Sequence, residues 1–199
     1  MKFSVRELVY IAIFGAIWGA AELTLGSYLH VLFPPLADTF FVGLIMASIG
    51  AVVALIGRLF VPKTGSVFLI GVVTALIKMI SIGGVQAGPL VAILAESLLM
   101  ELGLFIARKP ARWAFVLAGA LALAWNFFHK FIMMYVLFGR GVYEVYLGMV
   151  QQGASLLRID ISYALAIIVI LFVIRLVAGG LAGWIAWDLG RVVRDRLAR

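Results

Sequence analysis

Read from the N-terminus, the chain passes through six apolar blocks, each separated from the next by proline, glycine or clustered charge. The blocks predict helices over about 8–31, 40–61, 66–82, 89–107, 113–138 and 160–187. The breaks between them are Phe33-Pro34-Pro35-Leu36-Ala37-Asp38, Pro62-Lys63-Thr64-Gly65, Gly83-Gly84-Val85-Gln86-Ala87-Gly88, Arg108-Lys109-Pro110-Ala111-Arg112 and a longer connection from Gly139 to Ile159. Runs of this kind approach the roughly 20 residues that a helix needs to cross a bilayer core about 30 Å thick. A β-barrel would instead show short segments of alternating polarity. The expected fold is therefore an all-α integral membrane protein, a bundle of six transmembrane helices, with residues 1–199 forming a single transmembrane domain.

Composition agrees: 65% of residues are hydrophobic, 13% are charged and the mean hydropathy is +1.19, far from a soluble globular domain. There is no cysteine, so neither a disulfide framework nor a cysteine-based metal or redox site is available. The first apolar run is too long for the core of a signal peptide and reads as a retained helix. The cations set an orientation. Lys2, Arg6, Arg58, Lys63, Arg108, Lys109, Arg112, Arg191, Arg194, Arg196 and Arg199 fall at alternate ends of the spans, against Arg140 and Arg158 at the others. The positive-inside rule then predicts a multi-pass protein of the cell membrane with both termini cytoplasmic. The net charge of +7 needs no nucleic acid to explain it, and the arginine-rich C-terminal segment reads as a topology anchor near anionic headgroups.

Two features of the stretch "AIFGAIWGAAE", residues 12–22, point to chemistry. Ala12, Ala16 and Ala20 advance about 40° per step on an α-helix and form a nearly straight row, with Gly15 and Gly19 beside it. Such a row lets another helix approach closely, either within the bundle or from a partner. Glu22 falls toward the opposite side. Ionisable groups inside spans are costly and usually face the bundle interior or a wet cavity. In the predicted topology Glu22, Lys78, Glu96, Asn126, His129 and Lys130 come from four helices to one depth in the outer half of the membrane. These six residues form the candidate substrate site, with Trp125, Phe127, Phe128 and Tyr135 as candidate aromatic walls. The plainer reading is that Glu22 and Glu96 pair with Lys78 and Lys130 to hold the helices in register. Glu101 and Arg175 fall nearer the inner leaflet and suit a structural ion pair. Residues 141–157, with Tyr143, Tyr146, Met149 and Val150 able to share a helical face, read as an outer lid or interfacial segment.

Other classes fit less well. The chain has two histidines, His30 and His129, and no His-Glu-x-x-His, so no metal site and no zinc enzyme is expected. Gly26-Ser27 with His129 lacks the surroundings of a serine–histidine intramembrane protease, which leaves an intramembrane enzyme as an alternative only. A self-driven small-molecule carrier is the other alternative, and residues 1–100 and 101–199 show no convincing internal similarity to support it. No Gly-x-x-x-x-Gly-Lys-Ser/Thr loop is present, so no ATP site and no cofactor are expected.

The alanine row Ala12, Ala16, Ala20, the six-span plan and the polar outer-leaflet pocket together resemble the substrate-binding S components of energy-coupling factor transporters. The stretches "GRLFVPKTGS" and "LIKMISIGG" are similar to uncharacterised proteins of that kind. The resemblance covers the whole chain as architecture, and the alanine row is its one motif-like element. It implies that Ala12, Ala16 and Ala20 dock on a transmembrane coupling subunit driven by two cytoplasmic ATPases. It also implies that the chain captures a vitamin or similar micronutrient from outside, for which a thiamine-like compound or pyrimidine precursor suits a mixed set of carboxylates and cations. Cobalt and nickel members begin Met-His, whereas this chain begins Met1-Lys2, so the resemblance does not extend to a metal-ion substrate.

Overall fold

The computed structural model describes residues 2–32, 41–80, 87–107, 110–138 and 141–197. Among them there is no strand. Helices α1 (Val5–Leu32), α2 (Phe41–Phe60), α3 (Ser66–Lys78), α4 (Ala87–Ile106), α5 (Arg112–Phe138), α6 (Val142–Leu157) and α7 (Ala164–Leu197) follow in order, with a 3₁₀ turn at Ile161–Tyr163 before the last. Four of these helices, α1, α2, α4 and α7, contain stretches long and apolar enough to cross a membrane.

Two expectations change. The helix expected over 66–82 ends at Lys78, and its 13 residues rise only about 20 Å, short of a bilayer core. The last helix runs on to Leu197 rather than stopping at 187 and so takes in Arg191, Arg194 and Arg196. No proline interrupts that arginine-rich segment, and its Arg and Leu residues are good helix formers. The segment read as a lid or interfacial stretch with a shared helical face forms helix α6, and its Val150 is buried with Ile167 and Leu171 of α7.

Packing closes a ring in the order α1, α3, α4, α5, α7, α2 and back to α1, with α2 also reaching α3, α4 and α5. The buried face of α2 mixes Val42, Met46, Leu55 and Leu59 with the small residues Ala47, Gly50, Ala51, Ala54 and Gly57, which let its neighbours approach closely. Glycines set the α1–α3 contact in the same way. A Cβ on Gly15 would sit 2.6 Å from the Val73 side chain, and one on Gly19 would sit 2.8 Å from Ile77. The two glycines therefore face α3, while Ala12, Ala16 and Ala20 point out of the bundle and are exposed. Thr74 lies at this crossing with its one hydroxyl hydrogen shared between the Gly15 carbonyl of α1 at 3.1 Å and the Ile70 carbonyl of its own helix at 3.0 Å. Thr74→Val keeps the shape and removes that bond, so it should cost about 1 kcal/mol. In a thermal melt of the detergent-solubilised protein this reads as a midpoint lower by about 2–4 °C.

Polar contacts at one end of the ring tie the helices together. Arg58 pairs with Glu101 at 2.8 Å and also donates to the Lys63 carbonyl. The other Glu101 oxygen accepts from the Val67 backbone N–H at 3.0 Å, near the start of α3. Gly65, at φ 90°, makes the turn that precedes α3 possible, since side chains rarely adopt that backbone. At the same end Lys63 reaches Glu7 at 2.7 Å and Arg112 reaches Asp188 at 2.6 Å. The expected Glu101–Arg175 pair is thus not formed. Glu101 is committed to Arg58, and Arg175, eleven residues after the first residue of α7, lies at another level of the bundle.

Candidate functional site

Polar side chains inside the ring come from five helices, in two groups. In the first, Lys78 at the end of α3 crosses to α1, where its Nζ donates to the Glu22 carbonyl at 3.1 Å. The same Nζ lies 3.6 Å from the Glu22 carboxylate, an ion pair without a short hydrogen bond. Both side chains are mostly covered, at 16% and 13% exposure. Trp18, one turn earlier on α1 and fully buried, brings its indole close to that carboxylate. Its Nε1 closes no hydrogen bond of normal geometry, and its ring lies against Gly50 of α2.

The second group is a chain of three. Arg175 of α7 donates to the Asn126 side-chain carbonyl on α5, and the Asn126 amide nitrogen donates to Glu96 Oε1 on α4 at 2.9 Å. The chemistry of the ends dictates the orientation of the amide, because a guanidinium can only donate and a carboxylate only accept. Glu96 and Arg175 are buried, at 4% and 3% exposure. Arg175 also lies over the Phe127 ring, 5.9 Å from its centroid, which favours the cation electrostatically.

Of the six residues expected at the site, the structure therefore brings Glu22 to Lys78 and Glu96 to Asn126. His129 stands about one turn further along α5, half-buried against the Gly88 backbone and beside Trp125, with ring centroids 5.9 Å apart. It contacts neither group directly, and its Nδ1 and the Trp125 Nε1 are buried with no hydrogen-bond partner among the described residues. The Lys130 side chain lies outside the described residues, as do those of Tyr143, Tyr146 and Met149. Among the expected aromatic walls, Phe127 packs inward with Phe172, whereas Phe128 and Tyr135 are exposed. Arg175 is the residue that sequence reasoning assigned elsewhere. Its signal was its position, a single arginine in the run "ALAIIVILFVIRLVAGG".

A separate feature is an apolar groove of about 380 Å³ between α2 and α7, lined by Ser48, Val52, Leu181 and Ile185 among others. It begins one helical turn beyond Arg175, at Ala178, and includes none of the polar cluster. A mostly apolar wall open to the outside of the bundle is what a lipid-facing surface looks like.

The fold and the cluster define a class: an all-helical protein with long apolar helices of membrane-spanning character and a buried charged network among them. Comparison with protein-family models, with curated proteins and with solved structures gives no match to this chain.

Proposed function

We propose that this chain is the membrane-embedded substrate-binding component of an energy-coupling factor transporter. In this reading six segments cross the cell membrane, α3 doing so together with the residues that flank its 13-residue helix, with both termini cytoplasmic, and the chain captures a vitamin-like small molecule from outside for ATP-driven uptake. Transport energy comes from a partner module of a transmembrane coupling subunit and two ATPases. The observation that carries the reading is the division of labour on α1. One side sends Glu22 into the bundle to pair with Lys78, and the same interior holds the linked Glu96, Asn126 and Arg175. Another presents Ala12, Ala16 and Ala20 outward as a row of small exposed residues. Buried ionisable groups in an apolar bundle are expensive and mark ligand or ion pathways more often than they stabilise, and a small-residue row favours close approach of a second helix.

The test is to identify small molecules released on denaturing the purified protein by mass spectrometry, beside Glu22→Gln and Lys78→Met variants. A compound present in the wild type and reduced by about tenfold or more in the variants is expected, the factor that a loss of about 1.4 kcal/mol in binding produces. A well-folded wild type that releases nothing, and that recruits no ATPase module, would overturn the proposal.

A further inference from the structure

The apolar groove between α2 and α7 leads along one helix face to a charged end of the molecule. Its α7 wall is Ala178, Leu181, Ala182 and Ile185, spaced three and four apart. The same face continues through Leu189 and Val192, both about half exposed, to the exposed Arg196. Arg196 follows Ala178 by 18 residues, five full turns at about 3.6 residues each, so the two fall on one line along the helix. Near the end of α2, Ile56 and Leu59 lie against Gly190. Helix α2 therefore stops at Phe60 while α7 carries Arg196 beyond it. The length suits a lipid. Arg196 stands 14 residues, or about 21 Å, beyond Ala182, and half of a bilayer with its headgroups is about 20–22 Å. The charge at this end is also unbalanced. Among the described residues Glu7 is matched by Lys63, Glu101 by Arg58, Asp188 by Arg112 and Asp195 by Arg194. Arg196 pairs with none of these acids, and neither does Arg191, which lies over the Trp187 ring. Where an apolar wall gives way to uncompensated arginine at the end of a membrane-spanning helix, the complementary anion is a phospholipid headgroup.

We infer that the α2–α7 groove seats one anionic phospholipid, with an acyl chain along Val52, Leu181 and Ile185 and its phosphate at Arg196. This goes beyond the capture reading and does not depend on it, since it needs only helices that span a membrane. A zwitterionic lipid suits the apolar wall equally well, but it brings a cation of its own to a place that already has a surplus. A second copy of the chain is the poorer occupant. Lying the same way up in the membrane, it would bring its own Arg196 to meet this one, and like charges at close quarters are unfavourable.

The experiment is native mass spectrometry of the full-length protein, incubated in detergent with an equimolar mixture of dioleoyl phosphatidylglycerol and dioleoyl phosphatidylcholine. The two lipids have the same chains, so the ratio of their adducts reports the headgroup. Phosphatidylglycerol is expected to be retained about fivefold over phosphatidylcholine, the factor that one arginine near an anionic headgroup supplies. Arg196→Gln should bring that ratio below about twofold. Arg194→Gln removes the same charge from the same turn but about 200° round the helix, and should leave the ratio unchanged. Leu181→Trp places a ring in the groove at a half-exposed position and should lower the total lipid retained at least about threefold. Ile185→Trp, also half exposed, is the second variant of this kind should Leu181→Trp fail to fold. Equal retention of the two lipids, a preference that survives Arg196→Gln or falls as far in Arg194→Gln, or retention untouched by the tryptophans overturns the inference. So does a protein that keeps no lipid, or a dimer that the tryptophan variants break, which would give the groove to a second copy.

Discussion

Replacing Ala16 with Trp is expected to reduce substrate uptake to background and to abolish co-purification with a coupling subunit, while the protein still folds and binds its ligand. Ala16 is exposed, as are Ala12 before it and Ala20 after it, and the neighbouring Ile13 and Ile17 are about half exposed. The side of α1 that packs within the molecule belongs to Gly15 and Gly19, whose approach to Val73 and Ile77 leaves no space for a side chain. A tryptophan at position 16 therefore meets lipid, not its own bundle, and lipid accommodates an indole at little cost. A partner helix seated on the alanine row has no such freedom. Small residues drive association in membranes by letting backbones approach, and one large ring holds the helices apart over several turns. The measurement pairs uptake of labelled substrate in cells with a pull-down of the ATPases and a thermal melt. Uptake should drop at least about tenfold, equivalent to about 1.4 kcal/mol of docking energy, with the melt unchanged. Wild-type uptake from the Ala16→Trp protein would remove the docking role of the row.

The apolar runs were enough to locate six of the seven helices among the described residues, because a long apolar run announces itself through length and composition and its breaks through Pro34, Pro35, Pro62 and Pro110. Reading the pairing was harder. Glu22 with Lys78 and Glu96 with Asn126 were accessible from depth, since helices of known direction bring residues of similar register to one level. Arg175 was misplaced because its depth depends on where α7 ends, and that helix runs ten residues past its expected limit. Depth also says nothing of azimuth. Whether Phe127 or Phe128 turns inward depends on the rotation of α5, and that is settled by its contact with α7, a long-range property absent from any local window. Helix α6 was ambiguous for a different reason: with mixed polarity and no long apolar run, its sequence suits a surface segment or a packed helix equally, and the packing of Val150 on Ile167 and Leu171 decides.

Gly183→Leu is expected to abolish recovery of folded protein. The most extensive interface of the bundle is α5 with α7, and its centre is backbone against backbone. A Cβ on Gly183 would press on the Phe115 carbonyl and stand 2.9 Å from the Val116 Cα. A Cβ on Gly179 would stand 2.8 Å from the Gly119 carbonyl carbon and 2.9 Å from the Ala120 Cα. No rotamer relieves such contacts, because the atoms in the way belong to the main chain, so the helices must separate. Even one added methyl is expected to matter. Gly183→Ala should lose about 1–3 kcal/mol through overpacking, a midpoint lower by about 3–10 °C for a chain of this size. Gly148 of α6, where an added Cβ meets nothing within 4 Å, is the control: its change to Ala should cost nothing and gain about 0.5–1 kcal/mol from helix propensity. The crossing also holds the site, since Arg175 lies one turn from Gly179 and Asn126 two turns from Gly119 along the same two helices. Separation there pulls the guanidinium from the amide and leaves Glu96 buried without its oriented donor. Gly183→Ala should therefore weaken ligand retention more than Thr74→Val does, and the reverse order would show that the α5–α7 crossing and the polar cluster are energetically independent.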